Sequence, residues 1–344
     1  MNIRDVLFPL TAAGAVFGAI AYQQQVGAAD EADRIAWQTL AEISRPARPI
    51  GAGAGETAVS WRTWWTSVDV YPDASLNLTP QSADTAAKFR RIPCQEQSEK
   101  RAAFPDQPQT SKPCEVVWLD GAAAGYIFQN GLWKRENLNI AAAAHRISFP
   151  QSANYNHIDP RAVAIEMKTE WAPIADAQSG RFILAIDQQQ TTRALVAFHM
   201  MIRAQPNWIW ATFIHEDYAQ LVTQAGASFR DSFGSRDGRP SAGLRRLLRS
   251  RRAEFLAHYK LIGTQTDFST LLGNPLIEPA ALMKQKKISC ISCHAFAAVD
   301  SVGHVPHQSP QAGVPQIPPI FNSVNFDFTL TEHAKCSVMA QCST

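Results

Sequence analysis

The sequence lacks several features that would assign it to a familiar class. Its 32 Lys and Arg residues nearly balance its 30 Asp and Glu residues, so the net charge of +2 gives no general attraction to nucleic acid. Charged residues make up 18% of the chain and apolar residues 46%, which is typical of a globular protein and excludes a largely disordered one. The chain also has no internal repeat. We therefore expect a globular protein with enough length for a sizeable core.

A long hydrophobic run of the kind that spans a membrane is also missing. The apolar run from Val6 to Ala21 has about the length of a signal-peptide core and is short for a membrane span. Arg4 precedes it, and Ala19-Ile20-Ala21 fits a cleavage site before Tyr22. We expect residues 1–21 to be a signal peptide, with an uncleaved membrane anchor as the alternative. Either way, the folded part is expected in the periplasm or outside the cell.

Cysteine is scarce, yet two of the six cysteines form the most specific motif of the chain. Cys290, Cys293 and His294 have C-x-x-C-H spacing, which lets two thiols bind a haem covalently while the next imidazole ligates the iron. A thioredoxin-like dithiol, a zinc site and an ordinary disulfide are the alternatives. A zinc site needs a second ligand pair, and a disulfide does not need the histidine. The motif predicts one covalent haem c with His294 as its proximal ligand.

The other four cysteines fall into two pairs. Cys94 and Cys114 flank a polar, proline-containing stretch, and Cys336 and Cys342 lie near the C-terminus. An oxidising compartment favours disulfides over free thiols. We predict both pairs as structural disulfides.

The apolar periodicity predicts both helices and strands. Helical spacing covers 30–43 and 241–260. Strand-like patterns occur at 116–119, 125–129, 162–165, 181–187, 194–203, 208–215 and 321–330. This mixture predicts an α+β fold with a central, largely antiparallel sheet surrounded by helices. We expect one domain over 22–344, in which 265–344 carries the haem and packs against the sheet.

One face of the predicted helix over 241–260 is rich in arginine. An exposed, solvated face is one interpretation. A docking surface for an acidic periplasmic redox partner, or for an anionic membrane, is the other. The arginines are Arg245, Arg246, Arg249, Arg251 and Arg252.

Several separated segments together resemble a family of exported bacterial mono-haem cytochrome c proteins. The segments are Ala36-Trp37, Trp61-Arg-Thr-Trp64, Ala164-Ile-Glu-Met-Lys168-x-x-Trp171, Phe198-His199, Trp208-Ile-Trp-Ala-Thr-Phe-Ile-His215, Leu272-Gly-Asn274-x-x-x-Glu278 and Cys290-x-x-Cys293-His294-Ala295. They span most of the chain after the signal. The resemblance implies a c-type haem and an exported redox protein, but no particular reaction. The family pattern is similar to W-x-W-x-T-F-E-H, and this chain has Ile214 at the position of the glutamate.

The ligand on the other side of the iron decides the class of function, because a strong sixth ligand favours electron transfer and an open site permits ligand binding or catalysis. His215 and His199 are candidates, and they could approach one another if their strands pair antiparallel across Ala204–Asn207, although the sequence does not determine the register. Met339 is the third candidate. The remaining candidates, each more typical of a surface or core histidine, are His145, His157, His304, His307 and His333.

Two classes of function follow from these observations. The first is electron transfer with periplasmic partners. The second is a haem enzyme, peroxidase- or oxygenase-like, with His215 or His199 as distal acid–base; a gas sensor is a weaker third. The length favours the second class, since a simple carrier needs about a hundred residues. The lack of a recognisable peroxidase or oxygenase motif favours the first, and electron transfer is our leading prediction.

Overall fold

The computed structural model describes residues 31–47, 56–71, 91–96, 113–152, 159–160, 162–173, 180–236, 239–278, 280–285, 287–307 and 313–334. The strands are β1 Trp65–Thr66, β2 Gln95–Glu96, β3 Cys114–Leu119, β4 Ile165–Pro173, β5 Leu184–Ile186, β6 Thr192–Ile202, β7 Ile209–His215, β8 Ser235–Arg236, β9 Arg239–Pro240, β10 Tyr259–Gln265, β11 Ala298–Val299 and β12 Asn322–Ser323. The helices are α1 over 31–43, α2 Ser67–Val70, α3 Gly121–Gln129, α4 Arg135–Ala143, α5 Gln220–Gln224, α6 Ala242–Arg251, α7 Ala280–Lys284, α8 Cys290–His294 and α9 Phe328–His333.

Within the described ranges, eight strands form one sheet, and every pairing in it is antiparallel. The order along the sheet is β1-β3-β4-β6-β7-β10, with β2 paired to β3 and β5 paired to β6. With helices on both sides, this arrangement confirms the predicted α+β fold and its largely antiparallel central sheet.

Alternation along the long strands gives the sheet two apolar faces. In β6 and β7, Phe198 pairs with Phe213 and His199 pairs with Thr212. Phe198 and Phe213 belong to one core cluster, while Met201 and Trp210 belong to the other. We call the surface that carries His199, Met201 and Trp210 the site face, and the opposite surface the back face. A sheet buried on both faces explains why these strands are almost entirely hydrophobic.

Helices α1 and α6 cover the back face. Trp37 of α1 packs edge-on against Phe213, with 5.1 Å between the ring centroids. Leu244 and Leu248 of α6 join the same core. The predicted helix over 30–43 is confirmed by α1. The helix predicted over 241–260 is too long, because α6 ends at Arg251 and Tyr259 already begins β10.

The site face is covered by α3, α4, α8 and the segment that ends in α9. The strand predicted at 125–129 is wrong, since these residues belong to α3. Asp120 caps that helix by accepting a hydrogen bond from the Ala123 backbone N–H at 2.7 Å, and the alanine-rich turn that follows favours a helix. The strand predicted over 321–330 is also largely wrong, because α9 starts at Phe328 behind its cap Asp327.

The predicted disulfide between Cys94 and Cys114 is present, with 5.1 Å between the two Cα atoms. The predicted Cys336–Cys342 disulfide and the signal segment over 1–21 lie outside the described residues. Within the described ranges, no helix has the length and apolar character needed to cross a membrane.

Candidate functional site

The one-turn helix α8 brings the three motif residues to one side. Ser289 is its N-cap, and the Ser289 side chain accepts a hydrogen bond from the Ser292 backbone N–H. Residues three and four apart share one face of an α-helix, so Cys290, Cys293 and His294 lie together. All three line the same cavity. The three motif side chains, two thiols and one imidazole, thus line one wall of the cavity.

His294 has one ring nitrogen committed to a backbone carbonyl. Its Nδ1 lies 2.9 Å from the Phe326 carbonyl oxygen, and because a carbonyl can only accept, Nδ1 carries the proton. Burial lowers the His294 pKa to about 3, so the imidazole is neutral near pH 7. Nε2 has no hydrogen-bond partner among the described residues. A neutral imidazole oriented through its other nitrogen is the arrangement that metal-binding histidines adopt.

Aromatic side chains hold the His294 ring between the sheet and α9. The ring centroid lies 4.5 Å from that of Trp210 on β7 and 4.7 Å from that of Phe328. Of the two tryptophans near the start of β7, Trp210 is the one that contacts His294. Trp208 instead donates a hydrogen bond from Nε1 to the Asn325 carbonyl at 3.0 Å.

A buried polar network fixes the start of α8 to the end of β10. Gln265 accepts a hydrogen bond from the Ile291 backbone N–H at 3.2 Å and donates to the Ser289 hydroxyl at 2.9 Å. Ser289 donates to the Ser292 hydroxyl at 2.8 Å, which in turn donates to the Gly313 carbonyl at 2.6 Å. The orientation of the two thiols therefore depends on a strand residue far from the motif.

The cavity beside α8 has a volume of about 280 Å³, close to the lower end of the range for small-molecule sites. The site face supplies Lys168, His199, Met201 and Trp210 to its lining, and the C-terminal segment supplies Glu278 and Phe328. Apolar, aromatic and ionisable groups therefore surround the thiols.

The structure places His199 in this cavity together with His294. The His199 Nε2 lies 2.6 Å from Glu278 Oε1, and Glu278 also accepts a hydrogen bond from the Asn274 backbone N–H. Burial alone would raise the Glu278 pKa, but these contacts outweigh it and the pKa is lowered. The Nδ1 of His199 is buried and has no partner in the described part of the chain. His199 can therefore act as a second metal ligand or as an acid–base group.

His215 lies on the back face, away from the cavity. It caps the short 3-10 helix Glu216–Tyr218, where its Nδ1 accepts a hydrogen bond from the Asp217 backbone N–H at 3.3 Å. Its Nε2 donates to the Arg181 carbonyl at 3.1 Å, and its ring stacks on Phe182 at 3.7 Å. Burial lowers its pKa to about 4. His199 and His215 do not approach one another, because the register, which the sequence left open, puts them on opposite faces of the sheet.

The remaining candidates fall into three groups. Met339 and His157 lie outside the described residues. His145, His304 and His307 are exposed, whereas His333 lines the cavity. Of the described histidines, only His199, His294 and His333 reach the cavity.

Burial makes both thiols of the motif weak acids. Burial, reinforced by the Glu278 carboxylate, raises the pKa of Cys290 well above its ordinary value and that of Cys293 to about 11. Thioredoxin-like cysteines need a lowered pKa to react, so the thiol chemistry here does not fit that alternative. Within the described residues, no group of three or more His, Cys, Asp and Glu side chains could hold a metal ion, which also disfavours zinc.

The donor set fits a covalent haem. Two protonated thiols lie one helical turn apart, and the next imidazole has a fixed tautomer with Nε2 unpaired among the described residues. The large aromatic rings of Trp210 and Phe328 supply apolar walls.

Comparison with known proteins identifies no relative: no family model, no curated protein and no solved structure matches the chain. The resemblance to mono-haem cytochromes therefore stays a prediction, and the argument for function rests on the site.

Some cavity residues were missed as site residues in the sequence analysis. Glu166 and Lys168 lie on the site face of β4, and Glu332 and Thr329 belong to α9. Glu166 and Lys168 had a usable signal, since charged residues recur at every second position of β4, at Glu166, Lys168 and Glu170, and so share one face. Glu332 had none, because its helix follows an irregular segment whose path the sequence does not determine.

Proposed function

We propose that this chain is an exported redox protein with one covalent haem c, bound by Cys290 and Cys293 and ligated by His294, and that its main role is electron transfer. The observation that carries the proposal is the hydrogen bond from His294 Nδ1 to the Phe326 carbonyl, which leaves Nε2 for iron. When bound, a haem supplies a one-electron iron couple. Residues of this chain fix the tautomer of His294, enclose its imidazole ring and exclude water from that ring.

His199 is our proposed sixth ligand in preference to His215 and Met339. It lines the same cavity as His294, and Glu278 holds its Nε2, so its unpaired Nδ1 faces no competing donor or acceptor among the described residues. A carboxylate behind an imidazole is a common arrangement at metal sites, where it fixes the ring and raises its basicity. Two axial imidazoles favour a low-spin electron carrier.

The second candidate function is a haem enzyme or gas-binding protein with an open iron. The same His199–Glu278 pair favours it, because a histidine bonded to a carboxylate is a suitable proton donor and acceptor. The two candidates differ only in whether His199 binds the iron or stands off from it.

The test is the absorption spectrum of protein made with haem-maturation machinery, recorded oxidised, reduced with dithionite, and reduced with carbon monoxide. We expect a low-spin spectrum that carbon monoxide does not change in the parent protein and in His307→Ala, an exposed-histidine control. His199→Ala should become high-spin and bind carbon monoxide. A parent protein that already binds carbon monoxide supports the second candidate, and a low-spin His199→Ala variant moves the ligand elsewhere, with Met339 next.

Covalent attachment is tested separately on the denatured chain. Haem should stay with the chain through acidified organic solvent and should be lost from the Cys290→Ala, Cys293→Ala double variant. Haem that is extracted from the parent protein, or never incorporated, would end this proposal.

We also propose that an exposed arginine surface, Arg245, Arg246, Arg249 and Arg252, binds an acidic periplasmic redox partner. Arg251 is excluded from this set because it pairs with Glu42 at 2.7 Å. The N-terminal segment is proposed as a cleaved export signal, with a membrane anchor as the alternative.

A further inference from the structure

Two buried carboxyl groups from distant parts of the chain meet beside the haem cavity. Glu166 lies on the site face of β4, and Asp327 is the N-cap of α9. Glu166 exposes 4% of its surface to solvent and Asp327 exposes none, and the two side chains lie within hydrogen-bonding reach of each other. Glu166 lines the cavity itself. The pair is therefore enclosed by protein on one side and borders the proposed haem site on the other.

The hydrogen-bond inventory of the pair is incomplete without a proton. Asp327 Oδ1 accepts from the Thr329 backbone N–H at 2.7 Å, but Asp327 Oδ2 and Glu166 Oε1 are buried with no partner in the described part of the chain. Ionised carboxylates have no hydrogen to donate, so two of them cannot satisfy each other. One proton between them converts a repulsive contact into a hydrogen bond.

The surrounding charges do not neutralise the pair. Asp120 and Glu332 add negative charge near it. Two cations on this side of the sheet are engaged with other groups: Arg135 donates to the Thr331 carbonyl at 2.8 Å, and Lys168 pairs with Glu115 at 2.9 Å. Neither Glu166 nor Asp327 forms an ion pair within the described residues.

Hydroxyl groups hold Asp327 in place from the other side. The Tyr71 and Thr329 hydroxyls are 2.8 Å apart, and Thr329 also hydrogen-bonds the Asp327 carboxyl. Burial raises the Asp327 pKa to about 6 and the Glu166 pKa well above its ordinary value. Two interacting carboxyls in such a site lose their protons in separate steps, so the pair holds one proton near neutral pH.

We propose that Glu166 and Asp327 form a proton-binding site that shares one proton while the neighbouring haem is oxidised and takes up a second proton from solvent when the haem is reduced. This inference rests on the proposed function, because the haem supplies the change in charge. For each electron delivered by a one-electron donor, the cavity gains one negative charge, and the pair, which already holds one proton, takes up a second proton from the solvent. No bond between the pair and the iron forms or breaks.

The first test is the reduction potential of the haem-loaded protein measured against pH. Full coupling of one proton to one electron changes the potential by about 59 mV for each tenfold change in proton concentration. We expect a dependence approaching this slope near neutral pH in the parent protein. Glu166→Gln and Asp327→Asn should lose most of it. Glu332→Gln is the matched control, since it removes a carboxylate of the same cavity and should shift the potential while keeping the slope.

The second test is infrared spectroscopy of the carboxyl C=O stretch, which detects a protonated carboxylic acid with or without haem. The parent protein should show a band that shifts in ²H₂O and disappears in Glu166→Gln. A potential that keeps its full pH dependence in both variants overturns the inference even when haem binds. A chain that binds no haem overturns the proposed function, and the infrared band then still decides whether the pair holds a proton. Because Asp327 also caps α9, Glu166→Gln decides the outcome if Asp327→Asn fails to fold.

Discussion

At this site the two cavity histidines are each oriented by a hydrogen-bond partner that lies far along the chain. His294 is oriented by a carbonyl 32 residues later in the chain, and His199 by a carboxylate 79 residues later. These hydrogen-bond partners fix which nitrogen of each imidazole ring can reach a metal. We therefore expect substitutions of the partners, and not only of the histidines, to change the site.

Gln265 is the sharpest case of a supporting residue. Gln265→Met keeps the approximate volume but removes the groups that satisfy the Ile291 N–H and the Ser289 hydroxyl. Leaving buried polar groups unpaired should destabilise the protein by about 1–3 kcal/mol, measured by urea unfolding. The exposed Gln224→Met should change the free energy of unfolding by less than about 0.5 kcal/mol. Equal effects of the two substitutions would show that the network carries no stability.

His215 should make the protein sensitive to acid. Its folded pKa of about 4 lies below the ordinary value of 6.5, so below pH 6.5 the unfolded chain binds a proton that the native chain does not. The stabilisation is complete above pH 6.5 and falls as the pH approaches 4, by roughly 3 kcal/mol.

The measurement for His215 is urea unfolding at pH 7 and pH 4.5 in the parent protein and in His215→Gln. Carboxyl groups with raised pKa values, such as Asp231, act in the opposite direction, so the difference between the two proteins is the informative quantity. The parent should lose more stability on acidification than the variant. Identical losses would mean that His215 titrates normally in the folded state.

At the scale of elements, α8 and the pairing of β6 with β7 determine the site. The spacing of Cys290, Cys293 and His294 was sufficient to predict that they act together, since one helical turn follows from it. The strands β6 and β7 were also predictable from composition and alternation. Which of their histidines faces the cavity beside α8 was not predictable, because a shift of one residue in register exchanges the two faces.

Several other features could not be predicted from the apolar pattern of their own segment. The strand pattern at 125–129 was overridden by the Asp120 cap and the alanines after it. The end of α6 depends on Tyr259 pairing with His215 across the sheet, which is a contact between distant residues. The carboxyl pair of Glu166 and Asp327 was invisible for the same reason, since its members are brought together only by tertiary packing.

The cap of α3 gives a prediction for an element. Asp120→Ala should cost about 1 kcal/mol of stability, because the Ala123 N–H loses its acceptor. Asp120→Asn keeps a capping oxygen and should cost less, and it also removes a buried carboxyl whose pKa burial raises to about 7. Urea unfolding at pH 7 of both variants checks this order. Asp120→Asn being the more damaging would point to a role for the charge itself.

At the scale of the whole molecule, the cavity and the arginine surface lie on opposite faces of the sheet. The cavity belongs to the site face, while α6 and its arginine surface pack on the back face. A partner bound at α6 would therefore be separated from the proposed haem site by the sheet. We expect α6 to steer and hold a partner without altering the environment of the cavity.

This separation can be measured with a small acidic single-haem carrier as the probe. Replacing Arg245, Arg246 and Arg249 with Gln should reduce the association rate at low salt by at least about tenfold and flatten its salt dependence. The haem spectrum should stay unchanged. Arg146→Gln, an exposed arginine outside α6, serves as the control. Association that is insensitive to salt in the parent protein would remove the docking role of α6.

The hydrogen bond between His294 and the Phe326 carbonyl also has a consequence for the order of events during biosynthesis. The ribosome makes Trp210 and the sheet first, then α8, and only afterwards Phe326 and Phe328. The thiols of Cys290 and Cys293 therefore exist on a nascent chain before the residues that enclose His294 have been made. This interval would leave both thiols open to the proposed haem attachment, and the segment that carries Phe326 and Phe328 would then fold over α8.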